Sequence, residues 1–241
     1  MEIRGSGALI TGASRGLGEA LAKTLAKRGA KVVLVARNEK GLARVAGEIR
    51  IEGGEAHVVA GDVSEKKFVH RLAGTAAALV GDIDILIHNA SALGPTPLRP
   101  LLDTECEDFS AVLEANLVGP QRITRAIAGA MALRKRGTVL FVSSDAAVSA
   151  YPNWGSYGVS KAALDHLART YAAELEGSGV RFFAVDPGEM DTKMHADAIP
   201  EADPATLAKT SDVAEILAQM IENERRAPNG SRLEASKWRT S

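Results

Sequence analysis

Gly7-Ala8-Leu9-Ile10-Thr11-Gly12-Ala13-Ser14-Arg15-Gly16-Leu17-Gly18 is an apolar run, a turn of small residues and the start of a segment, 19–28, whose apolar positions recur at helical period. Outward from it the alternation repeats. Apolar runs at 31–35, 57–60, 83–87, 138–142 and 180–185 take turns with helical patterns at 40–51, 67–80, 104–133 and 157–175. Strands that are apolar without interruption call for burial on both faces, and the helices between them supply parallel crossovers. The pattern predicts an α/β fold: a doubly wound, mostly parallel sheet with helices on both faces. Six strands are expected, with a seventh near 231–235. In such sheets ligands bind outside the carboxyl ends of the strands, so the chemistry is expected where each strand stops.

The chain has 241 residues, 46% hydrophobic and 24% charged, which suits one domain spanning 1–241. Twenty-nine Lys and Arg against thirty Asp and Glu give a net charge of −1, so no overall field draws it to nucleic acid or an anionic membrane. The Arg134-Lys135-Arg136 cluster falls at a helix end, where cations suit the helix dipole. The apolar runs fall far short of the ~20 residues that span a bilayer. Met1-Glu2-Ile3-Arg4 leads directly into a strand, and the Arg239-Thr240-Ser241 tail carries no targeting address, so a cytoplasmic protein is expected. A single cysteine, Cys106, lies among acidic neighbours and reads as an incidental thiol; no metal site is expected. The one long irregular stretch, 188–209, is rich in Asp, Pro and Ala and is expected to be a functional loop over the substrate.

Small residues directly after the first strand let backbone N–H groups and a helix N-terminus approach a pyrophosphate. At the end of the second strand, where an acidic residue usually holds an NAD ribose, the chain has Ala36 and then Arg37. No carboxylate is there to repel a 2′-phosphate. Arg37 can grip one bidentately while Arg15 approaches from the glycine turn, which points to NADP(H); the alternative is that both arginines are only solvated charges. Ser144 follows the fifth strand, Tyr157 comes after twelve further residues, and Lys161 after three more. Tyr157 and Lys161 stand at i and i+4 and so share one helix face. A nearby ammonium favours the phenolate, so Lys161 is expected to lower the pKa of Tyr157 from about 10 and make it usable as acid or base. Ser144 can hydrogen-bond a carbonyl oxygen as charge develops on it.

Thr11, Gly12, Gly16 and Gly18, with the Ser144, Tyr157 and Lys161 register behind them, resemble the short-chain dehydrogenases/reductases, whose Rossmann-type fold and motif order the chain follows over about 3–233. The resemblance implies hydride transfer between NADP(H) and a small-molecule carbonyl or alcohol. Tyr157 would donate the proton, Ser144 orient the oxygen, and Lys161 also hold the nicotinamide ribose. Asn116, mid-helix, matches the fourth catalytic position, where it disturbs the helix and holds a water linked to the lysine. The cofactor contacts implied are Gly12, Ser14, Arg15, Gly16, Leu17 and Gly18, then Arg37 and Asn38, and Asp62 and Val63 at the adenine. Asp62 can equally cap the following helix. His88-Asn89-Ala90-Ser91 is similar to the family's Asn-Asn-Ala-Gly turn, with His88 and Ser91 as departures. Pro187, Gly188, Met190 and Thr192 match the segment that holds the carboxamide, although Thr192 also reads as a helix cap.

Leu93, Asp145, Tyr151, Trp154, Glu189 and Met194 are the substrate-pocket candidates. Asp145 and Glu189 would make the pocket partly acidic, suiting a substrate with an amine or several hydroxyls such as a pterin or a sugar; both can instead cap local turns. Ala92-Leu93-Gly94-Pro95-Thr96-Pro97-Leu98 stands where ketoacyl carrier-protein reductases have a polar stretch, which argues against that role. An idle NADP-binding protein acting through partners is the alternative, although Ser144, Tyr157 and Lys161 are all retained. In this family the helices matching 104–133 and 157–175 pair across twofold axes, which implies a homodimer or homotetramer.

Overall fold

The computed structural model describes residues 1–238; the tail from Arg239 to Ser241 lies outside the described residues. Seven strands make one sheet: β1 (Gly7–Thr11), β2 (Lys31–Ala36), β3 (Glu55–Ala60), β4 (Ile83–His88), β5 (Gly137–Val142), β6 (Val180–Asp186) and β7 (Arg232–Glu234). Their order is β3-β2-β1-β4-β5-β6-β7, and every pairing is parallel. All residues of β1, β4 and β5 are buried, as uninterrupted apolar strands require.

Helices α1 (Gly16–Lys27) and α2 (Glu39–Ile51) follow the first two strands. Next come α3 (Lys66–Val80), α4 (Cys106–Leu113), α5 (Gly119–Leu133), α6 (Gly155–Glu174), α7 (Lys193–Ala198) and α8 (Thr210–Glu222). Two apolar clusters divide them. On one face α1, α2 and α8 bury Leu21, Leu25, Leu42, Val45, Leu217 and Ile221 against Ile10 and Leu34. On the other α3, α5 and α6 bury Leu72, Ile127, Met131 and Leu164 against Leu9, Val139 and Phe141. Strand order runs one way from β1 to β3 and the other way from β4 to β7, so the crevice between the ends of β1 and β4 is the switch point where ligands bind in such sheets.

The expected helix over 104–133 is broken. Between α4 and α5 the residues Glu114–Val118 form a π-helical turn with Asn116 at its centre. The stretch 188–209 is less irregular than its composition suggests, because Thr192 Oγ1 accepts the His195 N–H and starts α7. A bridge between Met190 and Ala208 closes the segment on itself. Asp62 does not cap α3, whose N-cap is Glu65; it accepts from the backbone N–H and hydroxyl of Ser64 and shapes the turn ahead of that helix. The two arginines of the basic cluster are spent internally, Arg134 on Asp82 and Arg136 on Asp84. No described helix is long and apolar enough to cross a membrane.

Candidate active site

The turn after β1 is held by side chains as much as by backbone. Thr11 Oγ1 accepts the N–H groups of Asn89 and Ala90, both at 3.0 Å, and donates to the carbonyl of Ile87, so the ends of β1 and β4 are tied together. Asn89 Nδ2 returns to the carbonyls of Thr11 and Gly12. Gly12 takes φ +68°, and a Cβ on Gly18 would stand 2.3 Å from the Gly12 oxygen, so only glycine lets α1 begin this close to the loop. The N-cap residue of α1, Arg15, offers no side-chain acceptor to the first-turn N–H groups. Those donors and the positive end of the helix dipole suit a pyrophosphate.

A cleft of about 1570 Å³ runs from this helix end across the carboxyl ends of the strands. Ser14, Arg15, Gly16 and Leu17 line it, as do Arg37, Asn38, Asp62, Val63, Asn89, Ala90 and Ser91. Of the cofactor residues expected from sequence, Gly18 alone does not line it; its part is the close packing just described. Arg37 is 80% exposed, with Nη1 3.6 Å from Asp62 Oδ2. Asn38 caps α2 through the Gly41 N–H while lining the same end.

At the other end Ser144, Tyr157 and Lys161 meet on the wall of the cleft. β5 stops at Val142, two residues before Ser144, and Ser144 Oγ donates to Asp145 Oδ1 at 2.9 Å and accepts the Ala146 N–H at 3.2 Å. Lys161 is 2% exposed; its Nζ donates to the Val142 carbonyl at 2.7 Å and stands 5.4 Å from the centre of the Tyr157 ring. Burial draws the Lys161 ammonium down to about 8, against the opposing charge of Asp165. The expectation that Lys161 lowers Tyr157 is not met in this arrangement. Burial pushes the phenol up to about 12; the Ser144 hydroxyl pulls it the other way, the charges of Asp145 and Asp186 add to the rise, and the Ser91 hydroxyl opposes it. Tyr157 is thus a phenol that keeps its proton across neutral pH and has two hydroxyls beside it.

Asn116, 1% exposed, is committed on all sides. Its Oδ1 accepts from the Ala92 N–H at 2.7 Å and from Ser91 Oγ at 3.2 Å, while Nδ2 donates to the Ala92 carbonyl and to Ser160 Oγ, both at 2.9 Å. Ser160 Oγ donates in turn to the Tyr157 carbonyl at 2.6 Å. The side chain therefore pins the loop after β4 to α6 at Ser160, the residue immediately before Lys161.

All six substrate-pocket candidates, Leu93, Asp145, Tyr151, Trp154, Glu189 and Met194, line the cleft, and so do Pro187, Gly188, Met190 and Thr192. Trp154 meets Tyr157 edge-on, with centroids 5.7 Å apart. Asp145 serves its own turn: Oδ1 accepts from Ser144 and the Ala146 N–H, and Oδ2 from the Tyr151 hydroxyl. Burial would raise its carboxyl, but the Tyr151 and Ser144 hydroxyls outweigh that and hold it below the usual range. Glu189 Oε1 lies 3.8 Å from His195 Nε2. Sequence reasoning missed three charged residues beside this site, Asp165, Asp186 and Arg232. Only Asp186 carried a signal, as the carboxylate immediately before Pro187-Gly188.

The family model for short chain dehydrogenases matches residues 6–203. A short chain dehydrogenase of Pseudocercospora fijiensis is 37% identical over 228 residues, 93% of this chain and 71% of that protein. A 3-oxoacyl-[acyl-carrier-protein] reductase of Synechocystis is 37% identical over 188 residues, 78% of this chain and 75% of that protein. Among solved structures, a short chain dehydrogenase from Pseudomonas syringae superposes with a TM-score of 0.91 at 33% identity, covering 97% of this chain and 96% of that one. One from Shigella flexneri, complexed with NADP, gives 0.90 at 27% identity over 98% of both chains. A 7α-hydroxysteroid dehydrogenase complexed with NADH gives 0.88 at 28% identity over 97% and 94%. With this sheet order, and with the glycine turn opening α1 onto the same cleft as Ser144, Tyr157 and Lys161, the chain belongs to the short chain dehydrogenase family of oxidoreductases.

Proposed function

We propose that this chain reduces the carbonyl of a small molecule to an alcohol with NADPH, or runs the reverse oxidation. The carrying observation is that Ser144, Tyr157 and Lys161 share one cleft with the uncapped N-terminus of α1 and with Arg15 and Arg37. A bound nicotinamide dinucleotide supplies or accepts a hydride there. The first-turn N–H groups of α1 fit its pyrophosphate, and Arg37, with no carboxylate at Ala36, favours a 2′-phosphate over a free ribose hydroxyl. Arg15 lies in the same stretch of the cleft. Asp62 and Val63 would border the adenine, and Pro187, Gly188, Met190 and Thr192 the nicotinamide end.

Tyr157, protonated at neutral pH, gives its phenolic proton to the substrate oxygen as charge builds on it. The Ser144 hydroxyl, today donating to Asp145, turns to the same oxygen and stabilises that charge. Lys161 keeps a positive charge beside the tyrosine, offsetting the phenolate left behind. Asn116 acts through backbone, fixing the Ala92 loop against the helix that carries Tyr157 and Lys161. Residues 188–209 form the cover, with α7 placing Met194 over the cleft. The carboxylate of Asp145 is consumed by Tyr151 and its own turn, which weakens the reading of an amine- or polyol-binding pocket and leaves Leu93, Trp154, Met190 and Met194 as its main walls.

The test is oxidation of NADPH and of NADH by the purified protein over pterins, quinones, sugars, ketosteroids, ketoacyl thioesters and aldehydes, with Tyr157→Phe as control. NADPH-dependent turnover that disappears in Tyr157→Phe, and loss of the NADPH preference in Arg37→Ser, are the expected results. Equal use of NADH by the unaltered protein would remove the role given to Arg37.

A further inference from the structure

We propose that Arg232, on the short edge strand β7, is a positioning residue that holds the backbone of Ser144 and the end of β6 in register for proton transfer. This rests on the reading of Ser144, Tyr157 and Lys161 as the proton-handling groups. Its guanidinium makes contacts in four directions. Nη2 donates to the Ser144 carbonyl at 3.0 Å and to Asp186 Oδ2 at 2.8 Å, Nε donates to Asp165 Oδ2 at 3.1 Å, and Nη1 lies 3.6 Å from Glu234. The side chain is only 16% exposed, and those of Asp165 and Asp186 are 4% and 12%.

Three of the four contacts end on an element that carries the site. Ser144 lies past the last residue of β5, beyond the reach of the strand ladder, and its carbonyl also accepts the Ala147 N–H. Asp186 closes β6, and its other oxygen accepts the Gly188 N–H at 3.0 Å, shaping the Pro187-Gly188 turn. Asp165 sits on α6 one turn beyond Lys161. One planar cation thus joins the serine loop, the Pro-Gly turn and the helix carrying Tyr157 and Lys161, a task that needs the fork of an arginine rather than a point charge. β7 is three residues long and pairs with the end of β6, and this side chain adds a second tie from the strand to the catalytic end.

The same contacts set the charge around the proton donor. Asp165 is faced by Arg232, Arg169, Lys161 and the Ser143 hydroxyl; Tyr157 is faced by Lys161, Asp145, Asp186 and the hydroxyls of Ser144 and Ser91. Removing the guanidinium leaves two buried carboxylates less balanced, and both then act to raise the proton affinity of Tyr157 and Lys161.

The full chain would be compared as wild type, Arg232→Gln, Arg232→Lys and Tyr157→Phe, using NADPH with an aromatic o-quinone as probe, and by hydrogen–deuterium exchange. Arg232→Gln should lower kcat about tenfold or more while the NADPH KM moves less than about threefold, because a misplaced reacting group costs rate rather than cofactor affinity. Its high-pH limb for reduction should move upward by about half a pH unit or more, and Arg232→Lys, which keeps the charge, should restore the limb more fully than kcat. Exchange should quicken in 143–148 and 186–190 and stay unchanged in α2 and α3. Wild-type kcat and pH profile in Arg232→Gln would overturn the proposal, as would faster exchange spread over the whole chain. If Tyr157→Phe turns over normally, the proposed function fails instead. If wild type does not reduce the quinone, exchange decides: unchanged protection at 143–148 in Arg232→Gln overturns the positioning role.

Discussion

Lys161 is almost fully buried and donates to one carbonyl, so folding takes its charge out of water, where it is costly. Its folded pKa, about 8, lies below the ordinary 10.5, so between those values the unfolded chain binds more protons and stability rises with pH. Below pH 8 the whole cost, about 3 kcal/mol at most, is present. Lys161→Met should therefore abolish turnover yet raise stability at pH 7 by about 1–3 kcal/mol, a gain that fades as pH approaches 10.5. Denaturant unfolding at pH 7 and pH 10 without cofactor checks this; equal or lower stability at pH 7 would refute it. His88 gives the opposite end of the pH range. Fully buried, stacked on Phe141 and bonded through Nε2 to Thr124 Oγ1, its Nδ1 meets no hydrogen-bond partner among the described residues, and burial holds the ring down to about 3. Its folded pKa is below the unfolded 6.5, so stability is lost as pH falls from about 6.5 toward 3, by about 1.4 kcal/mol per pH unit at the steepest. His88→Asn should flatten thermal melts between pH 4.5 and 6.5; an unchanged slope would assign the acid loss elsewhere.

Among elements, the π-turn between α4 and α5 shows what a sequence can and cannot disclose. Asn at 116, inside a helical pattern, is visible as an unfavourable choice, but its reason lies in partners 24 and 44 residues away in the chain, at Ala92 and Ser160. Such partners leave no local period to read. The glycine turn, by contrast, was legible because its demands are local: a left-handed Gly12 and a Gly18 with no room for a Cβ. The helix inside 188–209 was not legible because a helix of six residues has too few positions to show a period, although Thr192 was recognisable as a cap. Two measurements belong at this scale. Asn116→Ala strands the N–H and the carbonyl of Ala92 and should cost about 2–4 kcal/mol in urea unfolding; a loss below 1 kcal/mol would mean water replaces the amide freely. Gly18→Ala should weaken NADPH binding about tenfold or more, read by cofactor fluorescence, since α1 must retreat from the Gly12 carbonyl to make space. Unaltered affinity would show that the helix end does not hold the pyrophosphate.

At the scale of the whole molecule, strand and helix alternation was enough to predict the parallel sheet, because central strands buried on both faces leave an apolar run that nothing else explains. The charge network at β7 was not legible, since Arg232, Asp165 and Asp186 are distant in sequence and any one of them reads as a surface charge. Nor does alanine content reveal which helix face turns outward. In the structure α5 and α6 cover the same side of the sheet, and Ala126, Gly129, Ala130 and Ala162 are exposed there along with Val159, 46% exposed, and Leu133, 89% exposed. Small residues let helices of two copies approach closely, and the apolar ones supply surface to bury, so an oligomer of this chain would be expected to pair through this side. Roughly 1,600 Å² of total buried area would suffice for a stable dimer. Light scattering should then give two or four times the monomer mass, and Val159→Arg combined with Ala162→Arg should yield monomers with unchanged circular dichroism. A charged pair placed there cannot be buried without a partner, so dissociation follows if the side is an interface and nothing changes if it faces water. A monomeric wild type at micromolar concentration, or a double variant with the wild-type mass, would place the assembly surface elsewhere and leave the exposed alanines as ordinary helix formers.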